Sequence, residues 1–390
     1  MKIAGIVAEY NPFHSGHAWH IAETRRLSGC DWVIVCMAGH FTQRGDPAIL
    51  SKWARARMAL ACGADAVFEL PALFAVRTAD AFARGGAAIL GGLGADVLSF
   101  GSELPDLQVI DALASLAEQE PEEVAAGIRR GLSEGKSHAR ARGEAVANYL
   151  GLAPELLNRP NLTLAAEYVR AIRALQLSME PLAVARRGEY HDGALGGFAS
   201  ASAIRAAMER GEEDEALACI PEAARPFARP DAMHAMDDLL LYRLRAMSLQ
   251  EMAELPDVAE GLEHRLYRLC REVSSREALL EALKCRRYTR ARLSRLLTHA
   301  LLGFDRSLLG AHPLPGYARL IGLRAGAEPL LKVLKSRSTI PIAASPSELA
   351  NDPVFAAECR ATDLWALLHD ESAARLPGRE YTEKFIRFPL

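Results

Sequence analysis

Two histidines three residues apart lie near the start of the chain, in the stretch 9–17 with the sequence EYNPFHSGH. The stretch follows the apolar run 3–8, which is short enough for one buried parallel strand. Proline ends such a strand and Gly16 permits a close approach, so His17 is predicted to open a helix that continues to about Leu27. Free N–H groups and the dipole at a helix start favour an anion, and two imidazoles add further donors. The stretch therefore predicts a phosphate-binding turn.

A His-x-x-His pair is also compatible with half of a metal site. Metal ligation needs a third ligand at a recognisable spacing, and the sequence shows none. The seven cysteines, at positions 30, 36, 62, 219, 270, 285 and 359, contain no Cys-x-x-Cys pair. We therefore predict no metal site, and reduced thiols in a cytoplasm.

Composition indicates an ordinary soluble protein. Half of the 390 residues are hydrophobic and 24% are charged, which fits two or three globular domains. No apolar run approaches the roughly 20 residues that span a bilayer, and the N-terminus enters a strand without a signal sequence. These observations predict a cytoplasmic protein without membrane segments.

The first hundred residues alternate between strand and helix patterns. Apolar runs at 3–8, 32–37, 66–70 and 96–100 are separated by helical stretches at about 51–62 and 78–90. Such alternation predicts an α/β fold with a parallel, Rossmann-like sheet. Ligands of these sheets bind at the carboxyl ends of the strands.

Polar or glycine-rich turns follow each predicted strand. The turn 38–48 carries Arg44, and Lys52 opens the next helix. Glu69 ends the third run, and Gly101 after the fourth permits a close approach of a base or ribose. Each could be a plain turn, but four on one sheet edge favour a site.

Helices fill residues 105–150, which we assign to an insertion without chemistry. Asn161 precedes the helical stretch 164–175, where it is either an N-cap or a contact to a base. A fifth strand is predicted at 181–185, followed by Arg186 and Arg187, which suit a phosphate or a stacked base.

A second anion site is predicted where the next helix begins. Ser200 and Ser202 supply hydroxyl groups at the helix start, and Arg205 follows about one turn later.

From about residue 225 the pattern predicts only helices, so we place a boundary between an α/β domain, 1–222, and an all-helical domain, 223–390. Residues 265–295 hold ten basic and three acidic residues, a net charge of +7 in a chain of net charge −3. Lys332, Lys335 and Arg337 add a second basic cluster. This pattern suits a polyanion partner, although a solvated helix face gives the same pattern.

Taken together, these motifs resemble a known family. His-x-Gly-His after the first strand and the Ser-x-Ser-x-Ile-Arg helix start resemble the two signatures of the nucleotidyltransferase superfamily. With the stretches 41–48, 52–56, 63–65, 69–71, 100–103, 287–292 and 301–303, the chain resembles the bacterial tRNA(Met) cytidine acetate ligases as far as about residue 335.

The resemblance implies an ATP-dependent ligase that converts acetate to acetyl-adenylate and acetylates N4 of the wobble cytidine of elongator methionine tRNA. Residues 1–222 would be the ATP-binding catalytic domain and residues 223–390 the basic, tRNA-binding domain. ATP, acetate and tRNA, in its anticodon region, are the implied partners, with neither membrane nor DNA, and the use of Mg²⁺ is left open.

The resemblance also implies site residues. The catalytic set is His14, His17 and Lys52, with Lys52 or Arg44 offsetting the charge of the acetate. The ATP-binding set is Val7, Ala8, Glu9, Tyr10, Asn11, Pro12, Phe13, His14, Gly16, His17, His20, Gly101, Asn161, Arg186, Arg187, Ser200, Ser202 and Arg205. The tRNA-binding set is Arg286, Arg287, Arg290, Arg292 and Arg295.

Two positions depart from the family pattern. His40 stands where asparagine is expected, and Leu162 stands where a second asparagine is usual. Two other functions remain open: a small-molecule nucleotidyltransferase, which would leave the basic helical half unexplained, and a non-catalytic RNA-binding protein that senses ATP.

Overall fold

The computed structural model describes residues 1–187, 198–230, 233–285 and 287–389. Its strands are β1 (Ile3–Ala8), β2 (Trp32–Ala38), β3 (Ala66–Leu70), β4 (Val97–Ser102), β5 (Glu180–Ala185), β6 (Ala318–Arg324), β7 (Ile342–Ala343) and β8 (Ile386–Phe388). They form one sheet in the order β5-β4-β1-β2-β3-β6-β7, and β8 also pairs with β6. Strands β1 to β5 are mutually parallel, which confirms the predicted α/β class.

The helices alternate with the strands in the first half and dominate the second. They are α1 (Ser15–Ser28), α2 (Lys52–Ala61), α3 (Ala72–Ala75), α4 (Ala79–Gly92), α5 (Leu107–Glu118), α6 (Glu122–Ser133), α7 (His138–Leu150), α8 (Pro160–Ala174), α9 (Ala201–Glu209), α10 (Glu213–Ala218), α11 (Asp237–Ala246), α12 (Leu249–Ala253), α13 (Leu262–Leu269), α14 (Arg276–Leu283), α15 (Arg290–Leu302), α16 (Arg306–Ala311), α17 (Glu328–Arg337), α18 (Pro353–Leu367) and α19 (Arg379–Thr382). Helices α5 to α7 occupy the predicted insertion. No helix in the described ranges is long and apolar enough to cross a membrane.

Helices cover both faces of the sheet, because successive strand residues point to opposite sides. Ile34 and Cys36 of β2 lie in one apolar cluster with residues of α4 and α8. Val33 and Val35 lie in the other, with residues of α1 and α2. Both faces are buried, which explains why the strands are continuous apolar runs rather than alternating patterns.

The C-terminal half is mainly helical, as predicted, but it is not all-helical. Strand β6 runs antiparallel to β3 and extends the sheet, with β7 and β8 beside it. The sequence of β6, ARLIGLR, is buried along almost its whole length and contains two arginines, so it shows neither strand alternation nor a clean apolar run. Residues 240–300 form an apolar cluster of their own, whereas residues 302–365 share the core of the sheet. The division at 222/223 as two folding units stays a prediction.

A buried ion cluster joins the two halves at this edge of the sheet. Its members are Lys52, Glu69, Arg319, Glu358 and Glu380, from α2, β3, β6, α18 and α19. Lys52 Nζ donates to all three carboxylates, and the bond to Glu358 Oε1 measures 3.0 Å. Arg319 donates to Glu69 Oε2 over 2.9 Å and also to Glu380. Every charge in the cluster therefore has an opposite partner.

The three carboxyl groups of the buried ion cluster do not have equal environments, and Glu358 is the one whose pKa is raised. Burial, and next the Glu69 carboxylate beside it, raises the pKa of Glu358. Its Oε1 accepts from Lys52 Nζ, and its Oε2 accepts the N–H of Ala72 over 2.6 Å. Gly39 lies so close to Glu358 Oε1 that any side chain there would collide with it.

We predict that Lys52→Met destabilises the protein by about 3–5 kcal/mol, because it removes one of the two cations that pair with the buried carboxylates. Chemical denaturation measures the loss. Lys332→Met, at an exposed lysine of α17, is the matched control and should change the stability by less than about 0.5 kcal/mol. Equal stability of Lys52→Met and the unaltered protein would contradict the role of the cluster.

Candidate active site

A cavity of about 1200 Å³ opens at the carboxyl ends of β1, β4 and β5. Its floor includes Ala8, Gly101 and Ala185, the residues at or next to the ends of these strands. This is the edge at which parallel α/β sheets place their ligands. The starts of α1, α8 and α9 surround it, so three helix N-termini border one space.

The turn after β1 is fixed by hydrogen bonds from two sides. Tyr10 has a φ of 53°, and the peptide bond between Asn11 and Pro12 is cis. Asn11 Oδ1 accepts the N–H of Ile49 over 2.9 Å, and the carbonyl of Asn11 accepts Arg205 Nη1 over 2.6 Å. These bonds hold the turn against the loop after β2 on one side and against α9 on the other.

The first turn of α1 is capped by its two histidines in a reciprocal arrangement. His14 is the N-cap, and its Nδ1 accepts the N–H of Gly16 over 3.0 Å. His17 Nδ1 accepts the N–H of His14 over 3.2 Å. The two rings lie 3.8 Å apart, centroid to centroid. Both Nδ1 atoms are acceptors, so in the neutral imidazoles the proton is on Nε2, which makes each Nε2–H the remaining donor.

Burial keeps these histidines neutral. It lowers the pKa of His14 to about 3, with the Arg186 guanidinium adding to the effect. Burial and then His14 lower the pKa of His17 well below its usual range. Burial also lowers the pKa of His20, one turn further along α1, to about 4, and its Nε2 lies 3.0 Å from Ser99 Oγ. At pH 7 the cavity therefore offers neutral hydrogen-bond donors rather than imidazolium charges.

The start of α9 supplies hydroxyl groups to the same cavity. Ser200 is the N-cap, and its Oγ accepts the N–H of Ala203 over 3.2 Å. Ser202 Oγ lies 3.0 Å from Ser200 Oγ. Arg205 follows on α9 and also lines the cavity, which brings hydroxyls, free helix N–H groups and a guanidinium together.

A hydrogen-bonded chain lines the side of the cavity next to β4. Arg186 Nη1 donates to Asn161 Oδ1 over 3.1 Å, and Asn161 Nδ2 donates to Glu103 Oε1 over 2.6 Å. Asn161 lies within the first turn of α8, and its amide is therefore oriented by side chains rather than acting as the N-cap. A Cβ on Gly101 would lie 3.3 Å from Arg186 Cγ, so a side chain there would crowd this arginine. Arg187 stacks on Trp19, with Cζ 3.6 Å from the ring centroid.

The structure brings most of the predicted ATP-binding residues together. Those that line the cavity are Val7, Ala8, Glu9, Tyr10, Asn11, His14, Gly16, His17, His20, Gly101, Asn161, Arg186, Arg187, Ser200, Ser202 and Arg205. Pro12 and Phe13 are not among the lining residues. Phe13 is buried and packs its ring 4.8 Å from that of Tyr10, so it supports the turn from below.

Lys52 is the main departure from the predicted site. It is absent from the cavity wall, fully buried, and committed to the carboxylates of the buried ion cluster. Its partners lie 17, 306 and 328 positions away in sequence, which no local pattern indicates. Arg44, the other cation suggested for the acetate, does line the cavity.

Sequence reasoning also missed residues of the cavity wall. Trp19 and Phe198 flank Arg187, and Gln43 joins the wall from the loop after β2. Met233, His234 and Asp370 come from the second half of the chain. Trp19 lies on α1 two residues after His17, and this closeness to the histidine motif indicates in the sequence that it belongs to the site.

The predicted tRNA-binding arginines are mostly engaged within the protein. Arg287 pairs with Glu260 over 2.7 Å, and Arg290 pairs with Glu277 and Glu281. Arg292 donates to the carbonyl of Asp257 over 2.7 Å and lies over Tyr288. Arg295 is only 6% exposed and does not present its charge at the open surface. Arg286 lies outside the described residues.

The group of possible metal ligands found in the described chain lies outside the cavity wall. His40, Glu358 and Glu380 are a described group with ligand atoms within 4.8 Å of one another. Lys52 Nζ already donates to both of these glutamates, so a lysine supplies the positive charge there.

A parallel sheet, a histidine-capped helix start and a second hydroxyl-capped start around one cavity define a nucleotide-binding protein of the nucleotidyltransferase class. Residues 1–379 match the HIGH Nucleotidyl Transferase family. A tRNA(Met) cytidine acetate ligase of Acetivibrio thermocellus is 33% identical over 417 residues, covering 99% of this chain and 100% of the relative. That of a Thermoanaerobacter species is 32% identical, with 99% and 100% covered. The chain belongs to the family of tRNA(Met) cytidine acetate ligases within the HIGH nucleotidyl transferases.

Solved structures agree with this assignment. The crystal structure of Thermotoga maritima TmcAL bound with alpha-thio ATP superposes with a TM-score of 0.89 at 27% identity, covering 100% of both chains. The same protein without ligand also gives a TM-score of 0.89.

Buried neutral histidines make stability depend on pH. The pKa of His20 is lower in the folded than in the unfolded chain, so between pH 6.5 and about 4 only the unfolded chain binds this proton. Stability therefore falls as the pH falls through this window. We predict that His20→Gln, which can keep the bond to Ser99, reduces the slope of unfolding free energy against pH. The reduction corresponds to at most one proton bound by the unfolded chain and not by the folded chain.

Chemical denaturation at a series of pH values tests this expectation. The same change at the exposed His138 of α7 is the control and should leave the curve in place. An unchanged slope for His20→Gln would show that His20 is not held neutral.

Proposed function

We propose that this protein is an ATP-dependent ligase that activates acetate as acetyl-adenylate and acetylates N4 of the wobble cytidine of elongator tRNA(Met). One observation carries the proposal: two neutral imidazoles, both with Nδ1 bound to backbone N–H groups, present Nε2–H donors at a helix start in the cavity. Relatives named tRNA(Met) cytidine acetate ligase match 99% of the chain, which supports the proposal.

In the first step, an oxygen of acetate attacks the α-phosphorus of ATP and pyrophosphate leaves. Negative charge grows on the non-bridging oxygens of the α-phosphate in the transition state. The Nε2–H groups of His14 and His17 donate to these oxygens, and the N-terminus of α1 adds its dipole. The capping hydrogen bonds at Nδ1 fix the orientation of both rings, so the Nε2–H donors need no reorganisation as the charge develops. The same residues can therefore cap the helix and stabilise the transition state.

The remaining groups hold the two ends of ATP. Ser200, Ser202 and Arg205 bind the departing pyrophosphate at the start of α9. Gly101, Asn161 and Arg186 face the adenosine, with the Asn161 amide fixed by Glu103. The start of α9 thus binds the anion, and the oriented amide of Asn161 contacts the base.

Acetate binds without Lys52, because that lysine is engaged in the buried ion cluster. Arg44 lines the cavity on the loop after β2 and is the cation that we assign to the acetate carboxylate. In the second step, the N4 amine of cytosine attacks the acetyl carbon of the mixed anhydride, AMP leaves with the bonding electron pair, and the nitrogen loses one proton. The products are N4-acetylcytidine and AMP.

The tRNA approaches from the side of the helical half. Arg287 and Arg290 are exposed, and their surface ion pairs are weak enough to exchange for phosphate contacts. Arg292 and Arg295 hold their own helix region together. We place the reaction in the cytoplasm, where tRNA is modified.

No group of three or more metal-ligating side chains comes together in the described part of the cavity wall. Glu9 accepts the N–H of Gln43, Asp46 pairs with Arg276 over 2.9 Å, and Asp370 lies 2.9 Å from His234. We therefore derive no step through a metal ion.

We predict that His14→Asn separates capping from catalysis. Asparagine caps helices well, so the stability should change by less than about 0.5 kcal/mol, whereas His14→Ala should lose about 1 kcal/mol. Both variants lose the Nε2–H donor, and acetate-dependent exchange of pyrophosphate into ATP should fall by roughly 10²–10³-fold. His138→Asn, at the start of α7, controls for the substitution itself.

Isotope-labelled acetate tests the complete reaction. We predict labelled N4-acetylcytidine in tRNA incubated with the protein and ATP, and its loss in His17→Ala. Nucleosides are analysed by mass spectrometry. Pyrophosphate exchange without modified cytidine would keep the adenylation step and reject cytidine as the acceptor, and absence of both signals would overturn the proposal in favour of a small-molecule nucleotidyltransferase.

A further inference from the structure

A second cavity, of about 260 Å³, lies between the end of the α3 segment and the helical half. Its wall contains Arg77, Thr78, Asp257, His299 and Arg306, none of which the sequence had singled out. It adjoins the wall of the large cavity, because Thr78 lines the second cavity and the next residue, Ala79, lines the first. Gln43 of the large cavity also donates to the carbonyl of Arg77 over 2.6 Å.

His299 gives this cavity a buried hydrogen-bond acceptor. It is 1% exposed, and its Nε2 lies 2.6 Å from the carbonyl of Val76. A carbonyl only accepts, so Nε2 carries the proton. Burial lowers the pKa of His299 to about 4, which leaves Nδ1 as a lone pair at pH 7. Within the described chain, Nδ1 has no hydrogen-bond partner although it is buried. A ligand with a hydroxyl donor would satisfy it.

Positive groups surround this acceptor. Burial lowers the pKa of Arg77, and the carboxylates of Asp257 and Asp80 act against this shift, while Arg306 donates to the carbonyl of Val258. Thr78 is the N-cap of α4 but makes no side-chain cap bond, so the free N–H groups of this 14-residue helix face the same region. The acidic groups nearby are Asp257, whose Oδ2 lies 3.7 Å from Arg295 Nε, and Asp80 in the first turn of α4. Guanidinium groups and a helix start together suit a phosphate.

A ligand for this cavity must present a phosphate and a hydroxyl group at once. The geometry points to a ribose-phosphate unit of an RNA backbone, with its phosphate on Arg77, Arg306 and the α4 start and its 2′-hydroxyl donating to His299 Nδ1. The 2′-hydroxyl is the group by which proteins distinguish RNA from DNA at a single position. This inference rests on tRNA being the substrate, and it assigns a specific subsite next to the cavity where the cytidine reacts.

The position of the subsite explains how RNA binding and chemistry could be linked. The segment that contributes Arg77 connects α3 to α4, and α4 packs under β1. The opposite wall comes from α15, whose Thr298 donates to the carbonyl of Gly45 over 2.6 Å. The walls that would hold a nucleotide here are therefore hydrogen-bonded to the loop that borders the large cavity.

We predict that Arg77→Gln weakens tRNA binding about tenfold at 0.1 M salt, and reduces the slope of log affinity against log salt concentration by about 0.7–0.9, the value for one phosphate contact. Arg130→Gln, at an exposed arginine of α6, is the matched control and should change neither quantity. Acetate-dependent pyrophosphate exchange should be unchanged in both variants. An unchanged slope for Arg77→Gln would overturn the proposal, whereas failure of the unaltered protein to acetylate tRNA would overturn the proposed function instead.

The hydroxyl contact is tested with tRNA anticodon stem-loops that each contain one 2′-deoxynucleotide. One position should weaken binding by about fivefold to tenfold in the unaltered protein and have no effect in His299→Phe. If no position is sensitive in the unaltered protein, the hydroxyl contact is rejected. This outcome does not depend on whether His299→Phe folds.

Free phosphate or pyrophosphate is the other source of the same chemistry. If Arg77→Gln weakens the binding of inorganic pyrophosphate while tRNA binding and its salt slope stay unchanged, the subsite holds a free anion and the RNA assignment is rejected.

Discussion

The buried ion cluster is the constraint on which the arrangement of the two halves depends. Charged groups leave water only when opposite charges and hydrogen bonds replace it, so Lys52 and Arg319 can be buried only where three glutamates converge. Those glutamates come from β3, α18 and α19, and the cluster therefore forms only when the C-terminal elements lie against the edge of the sheet. Gly39 leaves the space that the carboxyl group of Glu358 needs.

This docking also determines the shape of the active site. The loop after β2 closes on itself through an isolated antiparallel bridge between Phe41 and Pro47, and residues from the second half hold it along its length. Ser294 and Thr298 of α15 donate to its carbonyls at Arg44 and Gly45, and Trp365 of α18 donates to that of Ala48. The loop in turn holds Glu9 and Asn11 in the turn after β1. The helical half thus positions residues of the nucleotide cavity besides offering a surface to RNA.

At the start of α1, one set of atoms serves both the fold and the chemistry. A helix start needs acceptors for its free N–H groups, and the Nδ1 atoms of His14 and His17 supply them. The same bonds select the tautomer that points a proton at the cavity. Burial keeps both rings neutral, so the site stabilises an anion through oriented donors and a helix dipole rather than through imidazolium charge. The second cavity uses the same Nε2–H tautomer in the opposite orientation, because His299 donates from Nε2 to the protein and keeps its Nδ1 lone pair free.

Local patterns in the sequence determined the α/β class, the strands that end at the site, and the residues of the two helix starts. These features depend on neighbours within a few positions: apolar runs, glycine and proline at turns, and the spacing of His14 and His17 or of Ser200 and Ser202. Tertiary structure alone decided the role of Lys52, the strand at Ala318–Arg324 and the burial of Arg295. A lysine that opens a helix looks the same in sequence whether it faces a substrate or three glutamates up to 328 positions away. The same holds for Arg77 and His299, which lie 222 positions apart and meet only in the folded chain, because burial and charge pairing are properties of the assembled core rather than of any segment.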